Sequence, residues 1–338
     1  MKLHKHFSLR ALNTFGMGVK ADWLAEIVTV EDIRHVLREP DLQHLERLVL
    51  GGGSNILFTR SVEGIVLHNR IGGIETVRED DDHAWVRAGA GGSWHELVEW
   101  AVERGLGGIE NLSLIPGSVG AGPMQNIGAY GVELKDVFDN LEALHLGTMD
   151  MHTFRNSDCA FGYRESVFKH ALKNQFFITA VTLRLSKKPV VNTAYGAIVQ
   201  ELKRMGVAVP GILDVSRAVM QIRRSKLPDP AVLGNAGSFF KNPEVDPEVF
   251  ERLSGLHPGL VAYPMPSGKV KLAAGWLIEQ CGWKGRVVGH TGAHKDQALV
   301  LVNYGHASGT EIYELAHQIR NSVHERFGVL IDLEVNVY

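Results

Sequence analysis

Residues 109–131 read Ile-Glu-Asn-Leu-Ser-Leu-Ile-Pro-Gly-Ser-Val-Gly-Ala-Gly-Pro-Met-Gln-Asn-Ile-Gly-Ala-Tyr-Gly, with five glycines from Pro116 to Gly131. Ser118, Gln125 and Asn126 are interleaved among them. Glycine has no Cβ, so its backbone reaches positive φ and can approach a ligand closely. Successive N–H groups in such turns form concave anion sites. A loop of this kind can lie against a large, flat cofactor with polar edges.

A second glycine-rich turn lies upstream. Arg47-Leu48-Val49-Leu50 reads as a short buried strand running into Gly51-Gly52-Gly53-Ser54-Asn55. A tight strand turn and a pyrophosphate cradle both fit this pattern. It is not a Rossmann fingerprint, because Ile56 stands where the third glycine belongs, and Gly268-Lys269 lacks the flanks of a Walker A loop. Two such turns in one chain favour the cradle.

Further strands are expected at 64–68, 85–88, 176–185 and 298–302. Ser93 and Glu96 read as a capping box for a helix whose face is Trp94, Leu97, Val98 and Ala101, with Gly105 as its stop. Ser308 and Glu311 open a last helix with Ile312, Leu315, Ala316, Ile319, Val323 and Phe327 on one face and Gly328 at its end. Residues 330–338 alternate as a closing strand, with Ile331, Leu333, Val335 and Val337 on one side. Seven of the twelve prolines fall between Ser225 and Pro266, which places a domain transition near Leu227-Pro228-Asp229-Pro230. Strands and helices mix without regular βαβ alternation, so the class is α+β.

At 338 residues the chain exceeds one typical core, and two or three domains are expected. Apolar residues make up 45% and charged residues 22%, an ordinary globular balance. A net charge of −3 leaves no basic footprint for nucleic acid. Cys159 and Cys281 are the two cysteines and form no metal or redox motif, which suits a reducing compartment. No apolar run reaches the length of a membrane span and the first residues lack a signal-peptide core, so a soluble cytoplasmic protein is expected, with no membrane partner.

Four smaller motifs carry possible chemistry. Arg164 in Gly162-Tyr163-Arg164-Glu165-Ser166 suits either a surface ion pair or a bidentate carboxylate clamp. Ser238 and Lys241 have the Ser-x-x-Lys spacing of penicillin-binding hydrolases, but the companion Ser-Asp-Asn and Lys-Thr-Gly motifs are missing. Asp332 and Glu334 share one side of the closing strand, either solvated or, if buried, a candidate acid or electrostatic partner. Tyr195 in Thr-Ala-Tyr-Gly reads as a loop anchor or a ligand lid, and His290 and His294 lie in a stretch with no helical pattern that would bring them onto a metal.

In order and spacing, these motifs resemble the UDP-N-acetylenolpyruvoylglucosamine reductase family across nearly the whole chain. Leu12-Asn-Thr-Phe-Gly16 is similar to its N-terminal signature, and residues 51–55 and 115–131 to its two FAD-binding loops. Residues 162–166, 226–230, 237–242 and 271–278 resemble its catalytic and substrate segments. The resemblance implies the FAD-binding fold of the vanillyl-alcohol oxidase and p-cresol methylhydroxylase type. Its domains would be 1–72 and 73–226 with 328–338 for FAD, and 227–327 for substrate.

The family reaction passes a hydride from NADPH through FAD to C3 of an enolpyruvyl nucleotide sugar, and a proton closes the double bond at C2. By resemblance, Ser238 donates that proton, and Arg164 and Glu334 stabilise the enolate. FAD contacts would come from Gly51, Gly53, Ser54, Asn55, Ile115, Pro116, Gly117, Gly120, Gln125, Asn126, Gly128, Tyr130 and Arg223. Tyr195, Lys226, Asn242 and Lys271 would hold the substrate, with the 195 segment implying a tyrosine-loop subtype. No metal is implied, and the molecule is expected to act as a monomer. Another FAD oxidase of the same fold and a non-catalytic nucleotide-sugar binder are the competing readings. One position departs from the family: its Glu-Pro-Glu-Val-Arg stands here as Asp332-Leu333-Glu334-Val335-Asn336, which leaves a neutral amide for a guanidinium.

Overall fold

Apolar faces sort the chain into two compact units in the computed structural model, which describes residues 1–265 and 267–338. The first holds Met1–Ser8, Lys20–Gly52 and Val62–Ser225, and the second Leu9–Val19, Gly53–Ser61 and Lys226–Tyr338.

The first unit contains a four-stranded mixed sheet in the order Lys2–Ser8, Lys20–Ile27, Val62–Asn69, Arg47–Leu50. Val62–Asn69 lies parallel to both neighbours and is buried along most of its length, as parallel strands covered on both faces are. Helix α1 (Val30–Arg38) starts at a reciprocal Thr29–Asp32 capping box and packs Ile33, Val36 and Leu37 into the cluster that contains Ile27, Ile65 and Leu67.

A five-stranded antiparallel sheet follows, in the order Met151–Arg155, Phe138–His145, Phe176–Ser186, His83–Gly89, Ile74–Glu79. Helix α2 (Trp94–Glu103) buries the expected Trp94, Leu97, Val98 and Ala101. Ser93 Oγ accepts the Glu96 N–H, which is half of the expected box, and Gly105 follows the helix at φ +72°. Helices α3 (Gly196–Arg204) and α4 (Ile212–Lys226) share a core of Ile198, Leu202, Val215, Ala218, Val219 and Ile222.

The second unit carries a four-stranded antiparallel sheet in the order Gly234–Ser238, Val300–Asn303, Thr291–Ala293, Val287–Val288. A three-stranded sheet joins Glu244–Val245, Val270–Leu272 and Ala262–Pro264. Helices α5 (Pro247–Leu256), α6 (Ala274–Gln280) and α7 (Gly309–Phe327) complete it. Here α7 has its full Ser308–Glu311 capping box, buries all six expected face residues and ends at Gly328, φ +66°.

The closing residues differ from expectation in two ways. Val329, Ile331 and Val335 are buried, but Val337 is 37% exposed, and strand geometry is confined to Asn336–Val337. Residues 328–338, expected to complete the second FAD-binding stretch, group here within the second unit. Their main-chain bonds go to residues of the second unit: Lys241 N–H to Asp332 O, Glu334 N–H to Phe239 O, and Tyr338 N–H to Leu57 O. Backbone groups need partners, and these partners decide the placement.

Two substitutions at the start of α7 separate a cap from a close approach. Ser308→Ala should cost about 1 kcal/mol through the lost cap. Gly309→Ala should cost more, because its Cβ would stand 1.9 Å from the Phe58 carbonyl oxygen, a main-chain atom that cannot step aside. Equilibrium denaturation of the two variants checks the order, and equal losses would contradict the packing.

Candidate active site

In the first unit the two glycine turns meet. A Cβ on Gly51 would fall 2.2 Å from Ser118 Oγ, and one on Gly52 3.0 Å from Gly117 Cα. The second turn is fastened to the start of α2 by a short ladder: Trp94 N–H to Gly117 O (3.0 Å), Val119 N–H to Gly92 O (2.9 Å) and Gly120 N–H to Ala90 O (2.8 Å). Gly120 is buried so tightly that a Cβ would stand 2.7 Å from Ala90 Cβ. Gly117 itself has φ +112°, a conformation that favours glycine. Ile115 packs on the adjoining apolar cluster, while Pro116 is exposed.

Residues 124–131 are tied to 162–166, although the two stretches are distant in sequence. Asn126 Nδ2 donates to Gly162 O (3.0 Å), Ser166 Oγ to Met124 O (2.7 Å), and Arg164 Nη2 to Gly128 O (2.7 Å). Asn126 is fully buried, and its amide also meets Glu133 and the Lys135 N–H, so its side chain serves the scaffold. Any contact it makes with a cofactor would therefore come through its main chain. Half-buried Gln125 sits between Met124 and Asn126. Gly128–Ala129 and Val132–Glu133 form a hairpin with Tyr130 and Gly131 at its tip, both at positive φ.

Cations gather behind that hairpin. Arg223 on α4 donates through Nε to Leu114 O (3.2 Å) and hydrogen-bonds the Tyr130 hydroxyl. Burial holds its guanidinium below the usual arginine range, and the like charge of Arg164 pushes the same way. Burial raises the Tyr130 hydroxyl, against the opposing pull of Arg223. Tyr195, at the N-terminus of α3, meets Tyr130 edge-on with ring centroids 5.3 Å apart. Asn111 Nδ2 donates to both Tyr130 O and Asn192 O, which ties the 192–195 segment to the hairpin. Glu165 pairs with His170 at 2.6 Å, and Arg164 is seated on Gly128.

The second unit assembles the other expected residues. Ser238 ends its strand after an irregularity in register between Asn235 and Ser238. Gly237 (φ +69°) and the Gly237 N–H to Asn235 Oδ1 bond shape the turn that presents it. Glu334 is bonded through its N–H to Phe239 O (2.8 Å), so Ser238 and Glu334 lie on adjacent paired stretches. Ser238 ends its strand, and Lys241 lies on the stretch that pairs with the closing residues through its N–H to Asp332 O.

The 53–55 half of the first turn also lies in this unit. Gly53 has φ +62°, and a Cβ there would stand 1.9 Å from Leu12 O; half-buried Ser54 follows it. Asn55 Nδ2 donates to Glu334 O (3.2 Å), and Asn336 Nδ2 donates to Asn55 O (3.0 Å). The neutral amide at 336 thus joins the turn to the closing stretch. Asn242 Oδ1 accepts the Ala274 N–H at the start of α6, and Lys271 lies on the central strand of the three-stranded sheet. Lys226 is exposed at the end of α4. His290 meets Glu311 at 3.3 Å.

The first unit fits a large anionic cofactor on its own geometry. Its glycine turns leave no room for side chains, and Arg223 is a desolvated cation with no carboxylate facing it among the described residues. A buried charge of that kind calls for an anionic partner. The fold and these turns define an FAD-binding oxidoreductase. Residues 21–155 match the model of an FAD binding domain, and residues 229–338 match that of the UDP-N-acetylenolpyruvoylglucosamine reductase C-terminal domain. The chain belongs to the UDP-N-acetylenolpyruvoylglucosamine reductase family: it is 46% identical to that reductase of Flavobacterium johnsoniae, over 100% of both chains. The enzyme of Pseudomonas syringae pv. tomato is 51% identical over 98% of this chain and 97% of its own.

Among solved structures, the reductase of Thermus caldophilus superposes with TM-score 0.69 at 26% identity, covering 100% of this chain and 99% of that one. 6-Hydroxy-D-nicotine oxidase of Arthrobacter nicotinovorans shares the fold at TM-score 0.51 and 15% identity, covering 97% and 86%. The architecture is therefore the α+β FAD-binding fold of the p-cresol methylhydroxylase type.

Gly120→Ala should weaken flavin binding by displacing the second turn, and the double variant Ala90→Gly/Gly120→Ala should recover part of it. Flavin retention after gel filtration reads both, and a double variant no better than the single would contradict the clash. Asn336→Ala should cost about 1 kcal/mol of stability, one neutral hydrogen bond. No change in the unfolding midpoint would mean that the amide does not hold the turn.

Proposed function

We propose that Arg164, Ser238 and Glu334 carry the reduction of UDP-N-acetylglucosamine enolpyruvate to UDP-N-acetylmuramate, the activity of this family in peptidoglycan precursor synthesis. FAD, when bound, supplies to C3 of the enolpyruvyl group the hydride that NADPH provides. Negative charge then develops at C2 and spreads to the carboxylate. Arg164 offers a planar guanidinium for that carboxylate, and Gly128 O fixes its orientation. Its backbone sits at φ +56°, an uncommon conformation for a non-glycine residue that costs about 1–3 kcal/mol.

Ser238 gives its hydroxyl proton to C2, completing the C–H bond as the enolate collapses. Serine is a weak acid, so the developing carbanion and nearby fixed charge must drive the transfer. Glu334, placed by its main-chain bond to Phe239, the residue after Ser238, is assigned with Arg164 to stabilising the enolate. The observation that carries this reading is the pairing of 332–334 with 239–241, which brings Glu334 beside the stretch that presents Ser238.

Substrate binding is assigned to Tyr195, Lys226, Asn242 and Lys271, with residues 227–327 as the substrate domain. The flavin is assigned to 1–72 and 73–226. Its contacts are drawn from the two glycine turns, the Tyr130 hairpin and Arg223, with Asn126 acting through its main chain. A cytoplasmic monomer suits a reaction on a soluble nucleotide sugar, and no described helix is long and apolar enough to cross a membrane.

Ser238→Ala tests the assignment, because the two half-reactions can be followed separately. Flavin reduction by NADPH should stay near normal, while reoxidation by substrate should slow by the ~10²–10⁴-fold typical of lost acid catalysis. Stopped-flow absorbance reads both steps. If both slowed together, Ser238 would be structural and the proton would come from elsewhere.

A further inference from the structure

The mouth of the 115–131 loop is gripped by side chains from two helices of the first unit. Trp94 Nε1 on α2 donates to Leu112 O (3.1 Å), and Ser216 on α4 meets the Ser113 hydroxyl at 2.8 Å. Leu114 is held on both sides of its backbone. Its N–H donates to His95 Nδ1 (3.1 Å), and its carbonyl accepts from Arg223 Nε (3.2 Å). Leu114 has φ +59°, an uncommon left-handed conformation that costs a leucine about 1–3 kcal/mol.

The hydrogen bond also settles the imidazole. A backbone N–H can only donate, so Nδ1 of His95 must be an acceptor and the ring neutral, with its proton on Nε2. Nε2 lies 3.5 Å from Glu99 Oε1 on the next turn of α2. We propose that His95 is a positioning residue for the flavin loop: its neutral Nδ1 holds Leu114 in the left-handed conformation from which the 115–131 loop departs and Arg223 is aimed. The proposal rests on the FAD reading of that loop.

The surrounding charges act in both directions. Burial is the largest influence and holds His95 below the ordinary histidine value. Arg224 and Arg223 push the same way, while Glu99 and Glu96 oppose them. Because the folded value is depressed, the contribution of His95 is present above the unfolded histidine value, about pH 6.5, and is lost as pH falls through the folded value. Protonation turns Nδ1 into a donor facing another donor, so acid releases Leu114.

The test uses the full chain with its flavin removed and two variants. Asn at 95 can place an amide oxygen near the position of Nδ1 without titrating, whereas Leu supplies no acceptor. Flavin affinity is read by fluorescence quenching between pH 5 and 8, and the Leu114 amide by hydrogen exchange without flavin. His95→Leu should lose Leu114 protection and bind flavin about tenfold more weakly at every pH, the factor for one hydrogen bond. His95→Asn should retain both and lack the acid-side weakening that separates wild type from it. Unchanged flavin affinity in His95→Leu, or an acid loss in His95→Asn equal to that of wild type, overturns the proposal. A wild-type protein that binds no flavin would overturn the cofactor reading instead, while Leu114 exchange would still read the anchor.

Discussion

The contact on which the first unit depends is the close approach of residues 51–52 to 117–118, with Gly52 against the main chain of Gly117 and Gly51 against the Ser118 hydroxyl. Each turn leaves a buried element: the first follows the Arg47–Leu50 strand, and the second is laddered to the start of α2. Glycine weakens strands and helices through its entropy, so this many glycines are a cost to stability. The cost is offset by what only bare backbone provides, which is close approach and N–H groups turned toward an anion. Gly120 against Ala90 extends the same rule to a second layer, where even a methyl group meets another methyl.

Charge is the second constraint. Arg164 and Arg223 repel one another in a setting that withdraws Arg223 from water; Gly128 O accepts from Arg164, and Leu114 O and Tyr130 hold Arg223. Desolvating the Arg223 guanidinium costs stability that its neutral partners only partly restore. Leu114, Asn126, Tyr130 and Arg164 all have positive φ without being glycine. The side chains of His95 and Asn111 reach the main chain of Leu114 and Tyr130, Asn126 donates through its own amide to Gly162 O, and Arg164 donates to Gly128 O across 36 positions of sequence. Strain held from several directions is what a preorganised site requires.

Much of this was legible in the sequence where the signal is local. The α2 and α7 faces follow from helical spacing, and the Ser308–Glu311 box sits at the observed start of α7. Helix α5 was harder: its region is rich in proline, yet Pro247 occupies the first turn, where proline is tolerated. Alternation in sequence continues to Val337 while burial stops at Val335, so the closing strand is shorter than its pattern implies. Nothing local marks His95 or Asn111, since each acts by hydrogen bonds to main chain of other segments. Asn126 was legible as part of a ligand loop, but the direction of its amide was not. The loss of the family arginine at 336 was plain in the sequence, whereas its replacement by a bond to Asn55 needed the fold.

The most direct test is an anaerobic absorbance titration of the purified wild-type protein, first with NADPH and then with UDP-N-acetylglucosamine enolpyruvate. The account predicts that the flavin band bleaches with NADPH and returns in full when the enolpyruvyl substrate is added. A flavin that bleaches and does not recover would contradict the account, leaving an oxidoreductase with a different acceptor. A protein that binds no flavin even when FAD is supplied would contradict it at its root.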